Sequence, residues 1–65
     1  MYIITETTDD EHIGRYFKYC SNKKIIFIEE LNGEIMKLPF DYVFIKEGNI
    51  RLVSSNYTIR GKIIN

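Results

Sequence analysis

The sequence predicts a mainly β domain: a small antiparallel meander or barrel of about five to seven short strands, in the size class of SH3-like and OB-like domains. Residue choice is the first observation behind this. Isoleucine is the commonest residue, leucine is scarce and alanine is absent. Ile, Val, Thr, Tyr and Phe suit a pleated surface, whereas helices draw on Ala and Leu. The same taste for Ile, Lys, Asn and Tyr is also the product of an AT-rich gene. Turn signals are the second observation. "TTDDE", "SNKK", "LNGE", "LPFD", "EGNI" and "SSNY" recur about every ten residues, the spacing of short strands. Length is the third. Sixty-five residues, 45% of them hydrophobic, make one domain over residues 1–65. That is near the lower limit for a self-sufficient core.

The opening "MYIITETTDDEH" is acidic and has neither a basic nor a long apolar segment, so it does not read as a signal peptide. The next stretch, "TTDDEHIGRYFKYCSN", has two readings. Thr8 and Glu11 match a capping box, and Ile13, Tyr16, Phe17 and Cys20 follow at helical spacing. This gives a short helix over about 9–20. The residue types favour a strand instead, and Gly14 weakens a helix by roughly 1 kcal/mol. A helix here covers the second face of the following hairpin; a strand closes a barrel.

"IIFIEELNGEIMKLPF" reads as a hairpin. Asn32-Gly33 is the favoured type I′ pair, since both positions need positive φ. A turn centred there pairs Leu31 with Glu34, Glu29 with Met36, Phe27 with Leu38 and Ile25 with Phe40. Ile25, Phe27, Met36, Leu38 and Phe40 then share one face, and Ile26, Ile28 and Ile35 lie beside Lys37 on the other. Pro39 lacks an N–H and marks a strand end or an edge. "DYVFIKEGNIRLVSS" reads as a second hairpin about a type II′ turn at Gly48-Asn49. This sets Ile45 opposite Leu52, Lys46 opposite Arg51 and Phe44 opposite Val53. In the last pair of strands, joined at Ser55-Asn56, Leu52 faces Ile59 only if Arg51 faces Arg60, because a one-residue slip turns Ile59 outward.

These registers gather Lys46, Arg51, Arg60 and Lys62 on one side, with Phe44, Val53 and Thr58. Directly opposed arginines repel by a few tenths of a kcal/mol to about 1. Three readings follow: a solvated face neutralised by acids such as Glu6, Glu11, Glu29, Glu30, Glu34 or Glu47, a platform for single-stranded nucleic acid, or a protein contact patch. The stretch Ile59-Arg60-Gly61-Lys62 resembles, over those few residues, the Arg-Gly strand of small ring-forming RNA-binding attenuation proteins. The resemblance transfers no site residue.

Charge narrows the partners. Nine acids balance nine bases, so no long-range field gathers nucleic acid or anionic membrane, and such binding needs a local patch. Apolar runs are too short to span a bilayer. Cys20 is alone, which excludes an internal disulfide and a four-cysteine metal site and fits a reducing cytoplasm. His12 lacks the oriented partners of a general base, and Cys20 lacks an activating neighbour. They read as a surface histidine at an element boundary and a half-buried thiol. "TTDDE" lacks the spacing of a calcium loop and reads as a cap or loop. "EELNGE" reads as an acidic, wet hairpin tip. There is no phosphate-binding glycine loop and no catalytic serine elbow. We therefore expect a non-enzyme with no cofactor, no metal and no small-molecule substrate.

The apolar surplus points to a partner. Ile26, Ile28 and Ile35 on the first hairpin, with Tyr42, Phe44 and Val53 on the second, exceed what one short segment covers. The expected function is a binding or regulatory protein working by protein contact, with self-association into a homodimer or larger assembly. Beginning at Met1, with its AT-rich bias, the chain fits a small phage or mobile-element inhibitor of a host factor. The alternative is an RNA- or single-strand-binding oligomer using Lys46, Arg51, Arg60 and Lys62 with Phe44 or Tyr57. A third class is a structural subunit of a larger particle.

Overall fold

Alternation of apolar and polar side chains carries nearly the whole chain into strands. The computed structural model describes residues 1–8 and 10–64. β1 spans Tyr2–Thr7, β2 Tyr16–Cys20, β3 Ile25–Glu29, β4 Ile35–Pro39, β5 Tyr42–Lys46, β6 Asn49–Val53 and β7 Thr58–Ile63, with one 3-10 turn at Asp10–His12. All neighbours are antiparallel, and the sheet order is β4-β3-β2-β1-β7-β6-β5. This is the expected mainly β meander, as one open sheet.

The ambiguous segment takes the strand reading from Tyr16 onward. Phe17 and Tyr19 turn inward opposite Ile28 and Ile26. Gly14, at a φ of +87°, interrupts any helix before Tyr16. Of the two readings, the helix over 9–20 gives way to the Asp10–His12 turn and β2; Asp9 lies outside the described residues. Arg15 ties this connection down. Its Nε donates to the Glu11 carbonyl at 3.0 Å, and its guanidinium meets Glu30 at 3.1 Å.

The first hairpin departs from its expected register by one residue. Only Gly33 has positive φ in its turn, at +86°. The Glu30 N–H donates to the Glu34 carbonyl at 2.8 Å, and the Glu34 N–H donates to Asn32 Oδ1 at 3.0 Å. The loop is therefore Leu31-Asn32-Gly33, three residues closed by a left-handed glycine, rather than a two-residue type I′ turn. Ile28 now faces Met36 and Ile26 faces Leu38. The change has a physical reason. The expected register set Glu29 on the apolar face opposite Met36. The observed one sends both Glu29 and Lys37 outward and buries two isoleucines instead. Ile26 and Ile28 are 0% exposed, so they belong to the core and not to the surface patch expected of them.

The second hairpin is shifted by two residues. Its turn is Glu47-Gly48, with φ of 51° and 79°, and Lys46 faces Asn49. Two positive φ values make this a type I′ turn, not the type II′ turn at Gly48-Asn49. A two-residue slip preserves parity, so Phe44, Lys46, Arg51 and Val53 still share one side. The third pair has the expected register: Leu52 faces Ile59 and Arg51 faces Arg60.

The core consists of Ile4, Phe17, Ile26, Ile28, Phe40, Ile50, Leu52 and Ile59. Phe40 sits at the corner that shapes the sheet. β4 and β5 stand at opposite ends of the sheet, yet Phe40 and Asp41 alone join them. The sheet must roll until its ends meet there. The Phe40 N–H donates to the Lys24 carbonyl at 3.0 Å, and the Asp41 N–H donates to the Val53 carbonyl at 2.8 Å. The Tyr57 hydroxyl donates to the Pro39 carbonyl. β4 and β5 do not pair, and the roll stays open between them.

Gly61 explains the glycine in "IRGK". It faces inward beside Ile4, and the Phe17 ring lies on its backbone. A Cβ there would stand 2.6 Å from the Ile3 carbonyl oxygen and 2.7 Å from the Phe17 ring. Gly61→Ala is expected to destabilise the domain by about 1–3 kcal/mol in denaturant melts, as overpacking does; an unchanged midpoint would show that Phe17 is not seated there.

The corner also predicts a pH response. Burial raises the Tyr57 pKa above the ordinary tyrosine value; the Asp41 carboxylate adds to this and a hydrogen bond with Ser54 opposes it. The folded state therefore holds the phenol proton more tightly than the unfolded chain. The stabilisation is complete below the unfolded pKa, about 10, and is lost as pH rises through the folded value. Thermal melts are expected to fall above that pH in the native chain and to fall less in Tyr57→Phe. Equal alkaline slopes in the two proteins would contradict the assignment.

Candidate functional site

The outer face of β5, β6 and β7 brings six of the expected site residues together. Phe44 faces Arg51, Arg51 faces Arg60, Val53 faces Thr58, and Lys46 and Lys62 both face Asn49. Tyr42 lies at the edge of the same face, opposite Val53. Of the remaining three, Ile26 and Ile28 are in the core, and Ile35 is exposed on the outer face of β4, at the far end of the sheet.

Ladder parity sets how closely the arginines approach. The Ser54 N–H donates to the Tyr57 carbonyl at 2.9 Å, and the Ile63 N–H donates to the Gly48 carbonyl at 2.7 Å. On the β6 side, even-numbered residues therefore bond toward β7. Arg51–Arg60 is then a non-hydrogen-bonded pair, with Cα atoms about 4.5 Å apart and side chains at their nearest. Arg51 answers by folding onto β5: its Cζ lies 4.8 Å from the centre of the Phe44 ring. That ring is 52% exposed and Tyr42 is 65% exposed, so the stack stands in water.

A shallow depression of about 420 Å³ lies at this place, bounded by Thr5, Glu6, Phe44, Lys46, Arg51 and Arg60 among others. Among the described residues, Glu6 is the one carboxylate on its wall. It stands opposite Arg60 on β1, brought there by a bulge at Thr5, whose Oγ1 donates to the Arg60 carbonyl at 3.3 Å. Among the described residues, no carboxylate reaches ion-pair distance of Lys46, Arg51, Arg60 or Lys62; Glu30 is taken by Arg15. The four cations are held by register rather than by counter-charges.

The sequence reading named Glu6 only as one of several acids and did not seat it at the depression. Its place depends on the bulge, which no alternation pattern reveals. A second depression, about 560 Å³, was also missed. Tyr16, Phe27, Ile35 and Met1 line it on the outer face of β2, β3 and β4, with Lys18, Glu29 and Lys37. The one-residue shift of the first hairpin turns the half-buried Phe27 to this face. Cys20 is half-buried at the end of β2, and His12 closes the 3-10 turn. Among the described residues there is no cluster of ligands able to hold a metal ion, and no helix long and apolar enough to cross a membrane.

Compared with known proteins, the chain matches no protein-family model, no curated protein and no solved structure. What the site does rests on its own geometry.

A double-mutant cycle on Arg51→Thr and Arg60→Thr tests that geometry. The account predicts an unfavourable coupling of about 0.2–1 kcal/mol in the native protein, which shrinks as salt rises. A zero or favourable coupling would mean that an unseen counter-charge already neutralises the pair.

Proposed function

We propose that this chain is a non-enzymatic binding protein that acts by contact with a protein partner, through the outer face of β5, β6 and β7. One observation carries the reading: Arg51 lies on an exposed phenylalanine directly opposite Arg60, and among the described residues no carboxylate pairs with either. Arginine and aromatic side chains dominate binding hot spots, because they combine large contact area with directed polar groups. Lys46 and Lys62 stand around this centre as a polar rim. A partner that presents acidic side chains beside an apolar group complements the surface. Glu6 supports a protein partner over a polyphosphate, since its carboxylate on the depression wall repels phosphate. The balanced net charge supports the same choice, because it supplies no long-range attraction for nucleic acid.

The finer reading is a small phage or mobile-element inhibitor of a host factor, working in the cytoplasm. The Ile-, Lys- and Asn-rich composition and the single free thiol of Cys20 support it.

Capture from a lysate with and without nuclease tests the proposal. A specific protein is expected to be retained in both arms. Phe44→Asp and the pair Arg51→Glu/Arg60→Glu are each expected to weaken its binding by at least about 2 kcal/mol, roughly thirtyfold. Retention that disappears with nuclease and falls steeply with salt would replace a protein partner by nucleic acid. Ile28→Asp, by contrast, is expected to unfold the chain, since Ile28 is wholly buried.

A further inference from the structure

The two free edges of the sheet are not alike. At β4, the Glu30–Glu34 and Phe40–Lys24 bonds show that even-numbered residues bond inward to β3. Ile35, Lys37 and Pro39 therefore face the edge. Pro39 has no N–H to offer, and its carbonyl is taken by the Tyr57 hydroxyl. Lys37 adds a charge. Proline, a charge and a capped carbonyl are how proteins blunt an edge against pairing.

β5 has almost none of this protection. The Val53 carbonyl accepts from Asp41 on the β5 side, whereas Gly48 and Ser54 bond toward β7. Asn49, Arg51 and Val53 thus bond toward β5, and their partners Lys46, Phe44 and Tyr42 bond back. By alternation, the N–H and C=O groups of Val43 and Ile45 point out of the sheet. Among the described residues, β6 is the only strand that pairs with β5. Ile45 faces the core side opposite Ile50 yet is 54% exposed, because no strand lies beyond it.

We propose that β5 is a self-pairing edge, and that a second copy of this chain adds its own β5 antiparallel about Phe44. An open edge needs a strand, and this strand complements itself. Centred on Phe44, Val43 of one copy meets Ile45 of the other. Their four free backbone groups close two hydrogen bonds, and the two-fold axis repeats them. The same pairing covers the exposed Ile45 with a valine on the core side. On the outer side Phe44 meets Phe44, and Lys46 comes opposite Tyr42, where a cation favours the ring face. The same centring on β4 would set Lys37 against Lys37 and leave Pro39 without a bond. The inference goes beyond the proposed protein contact: it uses the backbone edge of β5, which shares Phe44 and Lys46 with that contact but not its arginines.

Sedimentation equilibrium across a wide concentration range, with amide exchange on the same samples, tests it. The wild type is expected to show a reversible dimer, and the Val43 and Ile45 amides to gain at least tenfold protection as dimer forms. Ile45→Pro removes one edge N–H that no bond within the copy uses, and Ile45→Lys puts a charge into the seam. Both are expected to fold and to stay monomeric at concentrations where the wild type dimerises. A wild type that stays monomeric at every concentration overturns the inference. So does a dimer that forms without protecting the Val43 and Ile45 amides, a readout that holds even if either variant fails to fold. A dimer that Ile45→Lys leaves intact overturns it as well.

Discussion

The pairing of Leu52 with Ile59 across β6 and β7 is the constraint on which the rest depends. Both side chains are almost wholly buried. A slip by one residue would turn an isoleucine out and draw arginine into the core, at a cost far above what like-charge repulsion adds at the surface. Arg51 must therefore face Arg60. The cationic row is a consequence of core burial, and its electrostatic cost is small beside the burial that imposes it. The tight turn at Glu47-Gly48 extends the same parity to Phe44, and alternation along β7 carries it to Lys62. The surface chemistry is thus set by what lies beneath it.

The corner at Phe40 and Asp41 supplies the second constraint. Seven strands in one sheet leave two edges, and a two-residue link between those edges forces them toward each other. Three hydrogen bonds fix the meeting point, and the Phe40 side chain fills the space beneath it. The roll gives so short a chain an enclosed core without barrel closure. Its opening leaves the margins of β4 and β5 unpaired, one blunted by proline and lysine and the other bare.

Much of this was legible in the residues. Isoleucine-rich alternation and evenly spaced turns gave the class, and inward Leu52 and Ile59 gave the last register. The turns themselves were harder. Asn32-Gly33 serves a two-residue type I′ loop and also a three-residue loop ending in a left-handed glycine. Only the burial of Ile26 and Ile28 over Ile25 and Phe27 decides between them. Glu47 accepts a positive φ that its side chain disfavours, so residue type alone favours a turn one position further along, at Gly48-Asn49. That error kept the parity, which is why Phe44, Lys46, Arg51, Val53, Arg60 and Lys62 were placed together correctly. Ile26 and Ile28 were assigned to the surface through a one-residue error, which reverses faces. Gly61 gave no local sign of its role, because the Phe17 ring it accommodates is distant in sequence.

The outer face and the β5 edge offer two kinds of chemistry to the contacts proposed for them. Arginines over an exposed ring suit a partner with acids and apolar groups, whereas bare backbone on β5 suits a strand. Both rest on the register of the β6–β7 hairpin. The most direct measurement is the nuclear Overhauser effect between the α protons of Arg51 and Arg60. As a non-hydrogen-bonded antiparallel pair, they lie at the closest backbone approach, and a strong cross-peak is the predicted result. Its absence, with Arg51 instead coupled to Ile59 or Gly61, would contradict the account.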